Sequence, residues 1–189
     1  METVEIIAVD EDTRLKVVTD DCPDDPRGWG WDVEFLVIDN YRIWRGWEHP
    51  EDPIAYAAWQ YQQEVRAGRF TPEQRDRALK LYQSLTGDTR SFEIKEHRGY
   101  SRSDWATYLV IGEADALGLW ETFDQWLKGD VYGIILEKRE QFTNADETRE
   151  LDIWDEDDSI WGNYLDDDYT ARTVAVENGW IEEVSSEEG

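Results

Sequence analysis

Nine carboxylates and no lysine or arginine lie between Glu150 and Asp168: Glu150, Asp152, Asp155, Glu156, Asp157, Asp158, Asp166, Asp167 and Asp168, with Asp146 and Glu147 just upstream. Three kinds of chemistry could use such a run. The first is cation ligation. Asp155, Asp157 and Ser159 fit positions one, three and five of a calcium loop. Position six, however, is Ile160 instead of the glycine that the sharp turn needs, and position twelve is Asp166 instead of a bidentate glutamate. The second is proton transfer between paired carboxylates, for which the acids are so abundant that no pair stands out. The third is imitation of a nucleic acid. Duplex DNA presents one charge per ~1.7 Å of axis, and carboxylates three or four residues apart on a helix face recur every ~5–6 Å. Trp154, Trp161 and Tyr164 lie among the acids and could stiffen such a face or form an apolar contact at its centre.

Other catalytic signatures are lacking. There is no GxSxG, P-loop, GxGxxG or HExxH segment. His49 and His97 are the only histidines, and surface or structural roles are expected for both. Cys22 is the only cysteine, which excludes an internal disulfide and gives no zinc-ligand spacing. The chain is therefore expected to be non-enzymatic, with no metal and no cofactor.

Charge points to the kind of partner. Of 189 residues, 45 are Asp or Glu and 19 Lys or Arg, a formal net charge of −26. Residues 143–189 hold sixteen of the acids against Arg149 and Arg172, a net −14. Such a field repels phosphate backbones and anionic lipid. The expected partner is a protein with a basic nucleic-acid-binding groove, with no direct binding to nucleic acid and no membrane association. The competing cause of the acidity is adaptation to high salt. It is suggested by five lysines against fourteen arginines, and under it the acids only solvate the surface. A charged N-terminus without a signal-peptide core, and no apolar run of spanning length, predict a cytoplasmic protein. A homodimer is compatible with the sequence but not required.

Patterning supplies the elements that must hold these residues. Val4–Val9 and Leu15–Thr19 read as strands joined by an acidic turn, and Trp31–Ile38 as a third strand. Asp52-Pro53 and Thr71-Pro72-Glu73-Gln74 are two helix starts, and Gly68 and Gly87 end the helices that follow. Ser91–Glu96, Trp105–Ile111 and Val131–Leu136 read as strands, with a short helix over Leu119–Leu127, and the last two strands are expected to pair antiparallel. The predicted fold is α+β: a mainly antiparallel sheet with a helical pair and a short helix packed on it. Residues 1–142 form the expected core. Residues 143–184 form an acidic extension of the same domain, folded onto it because it is rich in aromatics, and 185–189 a loose end.

Four motifs, in order, carry a resemblance. They are Pro23-Asp24-Asp25-Pro26 running into Arg27-Gly28-Trp29-Gly30-Trp31-Asp32; Phe92–Glu96 ending in His97-Arg98-Gly99; Gly129-Asp130-Val131-Tyr132-Gly133; and Trp161-Gly162-Asn163-Tyr164. In these the chain resembles a family of small, functionally uncharacterised proteins of bacteriophages and related mobile elements. It departs from that family in having Ser159-Ile160 where a cysteine precedes the tryptophan. The resemblance implies a phage or mobile-element origin, hence a host cytoplasm, but no activity and no catalytic residues. Together with the charge it predicts an inhibitor of a restriction, CRISPR-type or replication protein. Its contact residues are expected to be Asp146, Glu147, Glu150, Asp152, Trp154, Asp155, Glu156, Asp157, Asp158, Trp161, Asp166, Asp167 and Asp168.

Overall fold

The structure, a computed structural model, describes residues 1–44, 49–113, 116–143 and 150–182. In chain order the elements are β1 (Thr3–Ala8), β2 (Thr13–Thr19), β3 (Val33–Asn40), α1 (Tyr41–Trp44), α2 (Pro53–Arg66), α3 (Pro72–Thr86), β4 (Ser91–His97), β5 (Ala106–Gly112), α4 (Trp120–Lys128), β6 (Tyr132–Thr143), β7 (Glu150–Asn163) and α5 (Ala171–Glu177). The fold is α+β with antiparallel sheets, as the patterning predicts. The strands divide into two sheets, ordered β1-β2-β6-β7 and β3-β5-β4. The chain forms two compact units, Met1–Asp24 with Gly129–Gly189 and Asp25–Lys128. The expected loose end at 185–189 lies outside the described residues.

The first unit is built on the alternation of β2. Leu15 and Val17 face one way and meet Ile134 and Leu136 of β6, while Arg14 and Lys16 face the other. The apolar face is closed by α5 through Ala171, Val174 and Ala175. Thr170 caps that helix by accepting from the Thr173 N–H. Each fully buried aliphatic side chain here contributes about 1.5–3 kcal/mol relative to exposure. Pairing of β2 with β6 ends at Thr13 opposite Lys138, whereas β6 and β7 stay paired as far as Thr143 and Glu150. The hairpin therefore outruns the rest of its sheet as a two-stranded ribbon. On that ribbon Phe142, Leu151 and Ile153 are exposed.

The expected pairing of the Trp105–Ile111 and Val131–Leu136 strands is not what forms. Segment 106–112 is β5, the centre of the second sheet between β3 and β4, and β6 lies between β2 and β7 in the first. Both segments are apolar because each is central in its own sheet, not because they share one.

In the second unit the two faces of β5 are both covered. Leu109 and Ile111 join Ile38 beneath α2 and α3, through Ala55, Ala58 and Leu79. Tyr108 and Val110 join Phe35 against α4, through Trp120 and Phe123. This is why the strand reads as a continuous apolar run. The helical pair starts where its caps are written. The Asp52 carboxylate accepts from the N–H groups of Ile54 and Ala55 at 2.8 and 3.0 Å. Thr71 and Gln74 form a reciprocal capping box. No helix among the described residues is long and apolar enough to cross a membrane.

Candidate functional site

The acidic run forms β7, an edge strand, so its carboxylates do not share a helix face. That spacing expectation is corrected by the backbone: an extended chain sends successive side chains to opposite faces. Asp155 stands opposite Lys138 and Asp158 opposite Leu136, on the α5 side of the sheet. Glu156 stands opposite Glu137 on the other side, and an irregularity in the pairing accommodates Asp157. All four carboxylates from Asp155 to Asp158 are exposed. The calcium-loop spacing also falls on extended strand, and the described residues contain no cluster of three or more metal-ligating side chains.

Partners divide these acids. Asp152 is held by Arg139 at 2.5 Å and Asp157 by Lys138 at 2.7 Å. Asp158 accepts from the Trp180 indole N–H at 2.9 Å. Asp155 and Glu156 make no ion pair among the described residues. Asp166 spends its carboxylate on a turn, accepting from the N–H groups of Asp168 and Tyr169, and leaves Asp167 and Asp168 projecting. Asp146 and Glu147 lie outside the described residues, and of Glu150 only the backbone is described.

The tryptophans occupy distinct positions. Trp154 is half-buried beneath the Arg14 guanidinium, 4.2 Å from its ring centre. Arg14 in turn reaches Glu137 at 2.6 Å, and the Lys16 ammonium approaches the same carboxylate at 3.5 Å. Trp161 stays 42% exposed and lies over Gly133, where a Cβ would come within 2.4 Å of its ring. The Gly129–Gly133 and Trp161–Tyr164 motifs thus meet in one packing contact, which requires glycine at 133.

A second constellation lies within the second unit, at the end of the sheet where β3 and β4 finish and β5 begins. A cavity of about 500 Å³ is lined there by Asp39, Asn40, Arg66, Glu96, His97, Arg98, Arg102, Trp105, Ala106 and Thr107. The register shift between Val37 and Asp39 sets Asp39 opposite Thr107. Its carboxyl, 2% exposed, contacts the Arg66 guanidinium at the end of α2 through Oδ2. Its Oδ1, sealed from solvent, finds no hydrogen bond of normal geometry among the described residues. Burial pushes the Asp39 pKa above the ordinary carboxylate range, against the opposing pull of Arg66 and the Asn40 N–H.

The loop from Arg98 to Trp105 frames the cavity. Gly99 is pressed against Asp104 and His97: a Cβ there would lie 2.7 Å from the Asp104 Cβ and 3.2 Å from the His97 Nε2. The His97 ring is held through Nδ1 by Asp124 at 2.8 Å, and Lys128 bridges to the same carboxylate at 2.6 Å. This gives His97 the structural partner expected of it, and it also faces the cavity. Arg98 pairs with Glu96 at 2.9 Å and lies 5.4 Å from the ring centre of Trp105, itself 44% exposed. Arg102 is exposed and makes no ion pair among the described residues.

Reading the sequence missed this group. Its members are drawn from residues 39 to 107, and of them only Glu96, His97 and Arg98 fall in one of the motifs singled out above. One trace is visible: Asp39 interrupts the apolar run Phe35–Ile38, and an acid in a buried strand position calls for a partner.

The raised pKa of Asp39 has a measurable consequence. Its folded-state value exceeds its unfolded one, so the native state holds the proton more tightly. As pH rises from about 4 through the folded pKa, this group removes stability. Asp39→Asn is therefore expected to melt higher than the parent at neutral pH, with the gap closing towards pH 4. Arg66 is partly exposed and can turn to water in the variant, so no buried charge is stranded. Paired thermal melts from pH 4 to pH 8 read this directly, and a gap independent of pH would contradict it.

The chain matches no protein-family model, no curated protein and no solved structure, so its functional reading rests on the geometry above.

Proposed function

We propose that this chain is a non-enzymatic, phage-type binding protein that occupies the basic nucleic-acid-binding groove of a host protein through its acidic edge strand. One observation carries the reading: four consecutive exposed carboxylates, Asp155 to Asp158, on an edge strand. A strand rises ~3.3 Å per residue, so the run gathers four acids within ~10 Å of edge, with Asp155 and Asp158 on one face of the sheet and Glu156 on the other. Duplex DNA likewise presents a dense line of negative charge, one per ~1.7 Å of axis, and the protein brings no condensed counterions that must be held in place. Lys138 and Arg139 tether Asp157 and Asp152 from the neighbouring strand and fix the register of the charges. Trp161, with the exposed Phe142, Leu151 and Ile153, offers apolar contact beside the charged edge. The resemblance to phage and mobile-element proteins makes host restriction, CRISPR-type or replication proteins the targets.

The test is capture from host lysate on immobilised protein, with and without excess duplex DNA. A variant carrying Asp155→Asn, Glu156→Gln, Asp157→Asn and Asp158→Asn runs alongside. Nucleic-acid-binding proteins should be retained, released by the DNA, and bound about 10²-fold more weakly by the variant, on the scale expected for losing several charge-assisted contacts. If the retained proteins resist the DNA, or the variant captures them equally, the acids serve solvation, as in a salt-adapted surface.

A further inference from the structure

We infer that the cavity at the end of the β3-β5-β4 sheet is a binding site for a small phosphate monoester, of the size of a sugar phosphate or a mononucleotide. Three observations lead to it. The cavity, at about 500 Å³, falls in the range of organic-ligand sites and is far larger than ordered water alone requires. In a chain of net charge −26, three arginines, Arg66, Arg98 and Arg102, converge on it against two carboxylates, Asp39 and Glu96. These carboxylates engage Arg66 and Arg98 and leave Arg102 without an ion pair among the described residues. A phosphate monoester supplies the missing anion, and a guanidinium receives it with two parallel N–H donors.

The third observation selects a monoester over the bare anion. The volume exceeds what a phosphate group alone occupies, and the rim offers contacts to an organic group. His97, oriented through Nδ1 by Asp124, borders the same space. The ring of Trp105 is partly open and offers a flat apolar surface at the rim, on which a base would stack. This site belongs to the second unit, is independent of the acidic strand, and stands or falls separately from the function proposed above.

Isothermal titration of the full chain at low ionic strength tests the assignment, with three probes: inorganic phosphate, ribose 5-phosphate and adenosine 5′-monophosphate. Ribose 5-phosphate is expected to bind with a Kd below about 1 mM and tighter than inorganic phosphate. Arg102→Ala, a change at an exposed position, should weaken both by about tenfold or more. Tighter binding of the adenosine compound than of ribose 5-phosphate identifies a nucleotide, and equal binding identifies a sugar phosphate. The inference is overturned if no probe binds at 5 mM, a concentration set by the ~1 mM ceiling, or if Arg102→Ala binds as the parent does.

Discussion

Replacing Phe123 with alanine is expected to lower the unfolding free energy by about 3–5 kcal/mol, the largest effect of any single substitution considered. Phe123 is 1% exposed and occupies the centre of the α4 face of the second unit. Its ring stacks on Phe35 with centroids 4.1 Å apart and stands edge-on to Tyr108 at 5.6 Å. Trp120 and Trp126 flank it at 5.9 Å each. Truncation removes the buried area of the ring and the aromatic pair terms, each worth about 0.5–1.5 kcal/mol. It also opens a void that four bulky rings cannot close without leaving their rotamers. Phe123→Leu keeps most of the volume and should cost less than half as much. Urea unfolding followed by tryptophan fluorescence measures both. A loss below about 1 kcal/mol for alanine, outside the range for buried aromatics, would show that α4 is not docked on that face.

The second large effect belongs to the other unit. Leu15→Ala should cost about 3–4 kcal/mol, within the range for fully buried leucines. Leu15 is wholly buried, cross-strand from Ile7 on β1 and Leu136 on β6, beneath α5. Neighbours on both flanking strands are held by backbone pairing, so the site cannot collapse around the missing methyl groups. The same substitution at Leu81, 61% exposed on α3, provides the contrast and should change stability by less than about 0.5 kcal/mol. Equal losses at the two positions would remove the assignment of Leu15 to a packed core.

These cores also explain which parts of the fold the sequence reveals. The helical pair was legible because its signals are local: Asp52 and Thr71 bond to N–H groups two or three residues away. The strands were legible from composition, but their partners were not. Leu15 pairs with Leu136 across more than a hundred residues, and the whole second unit intervenes between β2 and β6. Nothing in a period-two pattern specifies such a partner. β7 and α5 went unassigned for a different reason. An edge strand with exposed faces has no need of apolar alternation, so Asp155 to Asp158 conceal it. α5 spans only Ala171–Glu177, too short for a helical period to stand out. Of the two candidate sites, the acidic one was visible as composition, although its strand geometry was not. The cavity was invisible, because Asp39, Arg66 and Arg102 come together only once β3, α2 and the loop before β5 share one end of a sheet.

The edge position of β7 also bears on how the protein behaves when concentrated. An open edge strand exposes unpaired N–H and C=O groups that another chain can adopt, the usual beginning of aggregation. Two β7 strands approaching one another would bring their runs of Asp155 to Asp158 into contact, carboxylate against carboxylate. Self-association by that route is opposed wherever the acids are ionised. Strand addition to this sheet is left with the opposite edge, β1, where Val4 and Ile6 are exposed. The protection is conditional on charge. Near the sequence pI of about 4.2 the net charge vanishes and the mutual repulsion weakens, and the edge that excludes other copies at neutral pH becomes a surface on which they can assemble.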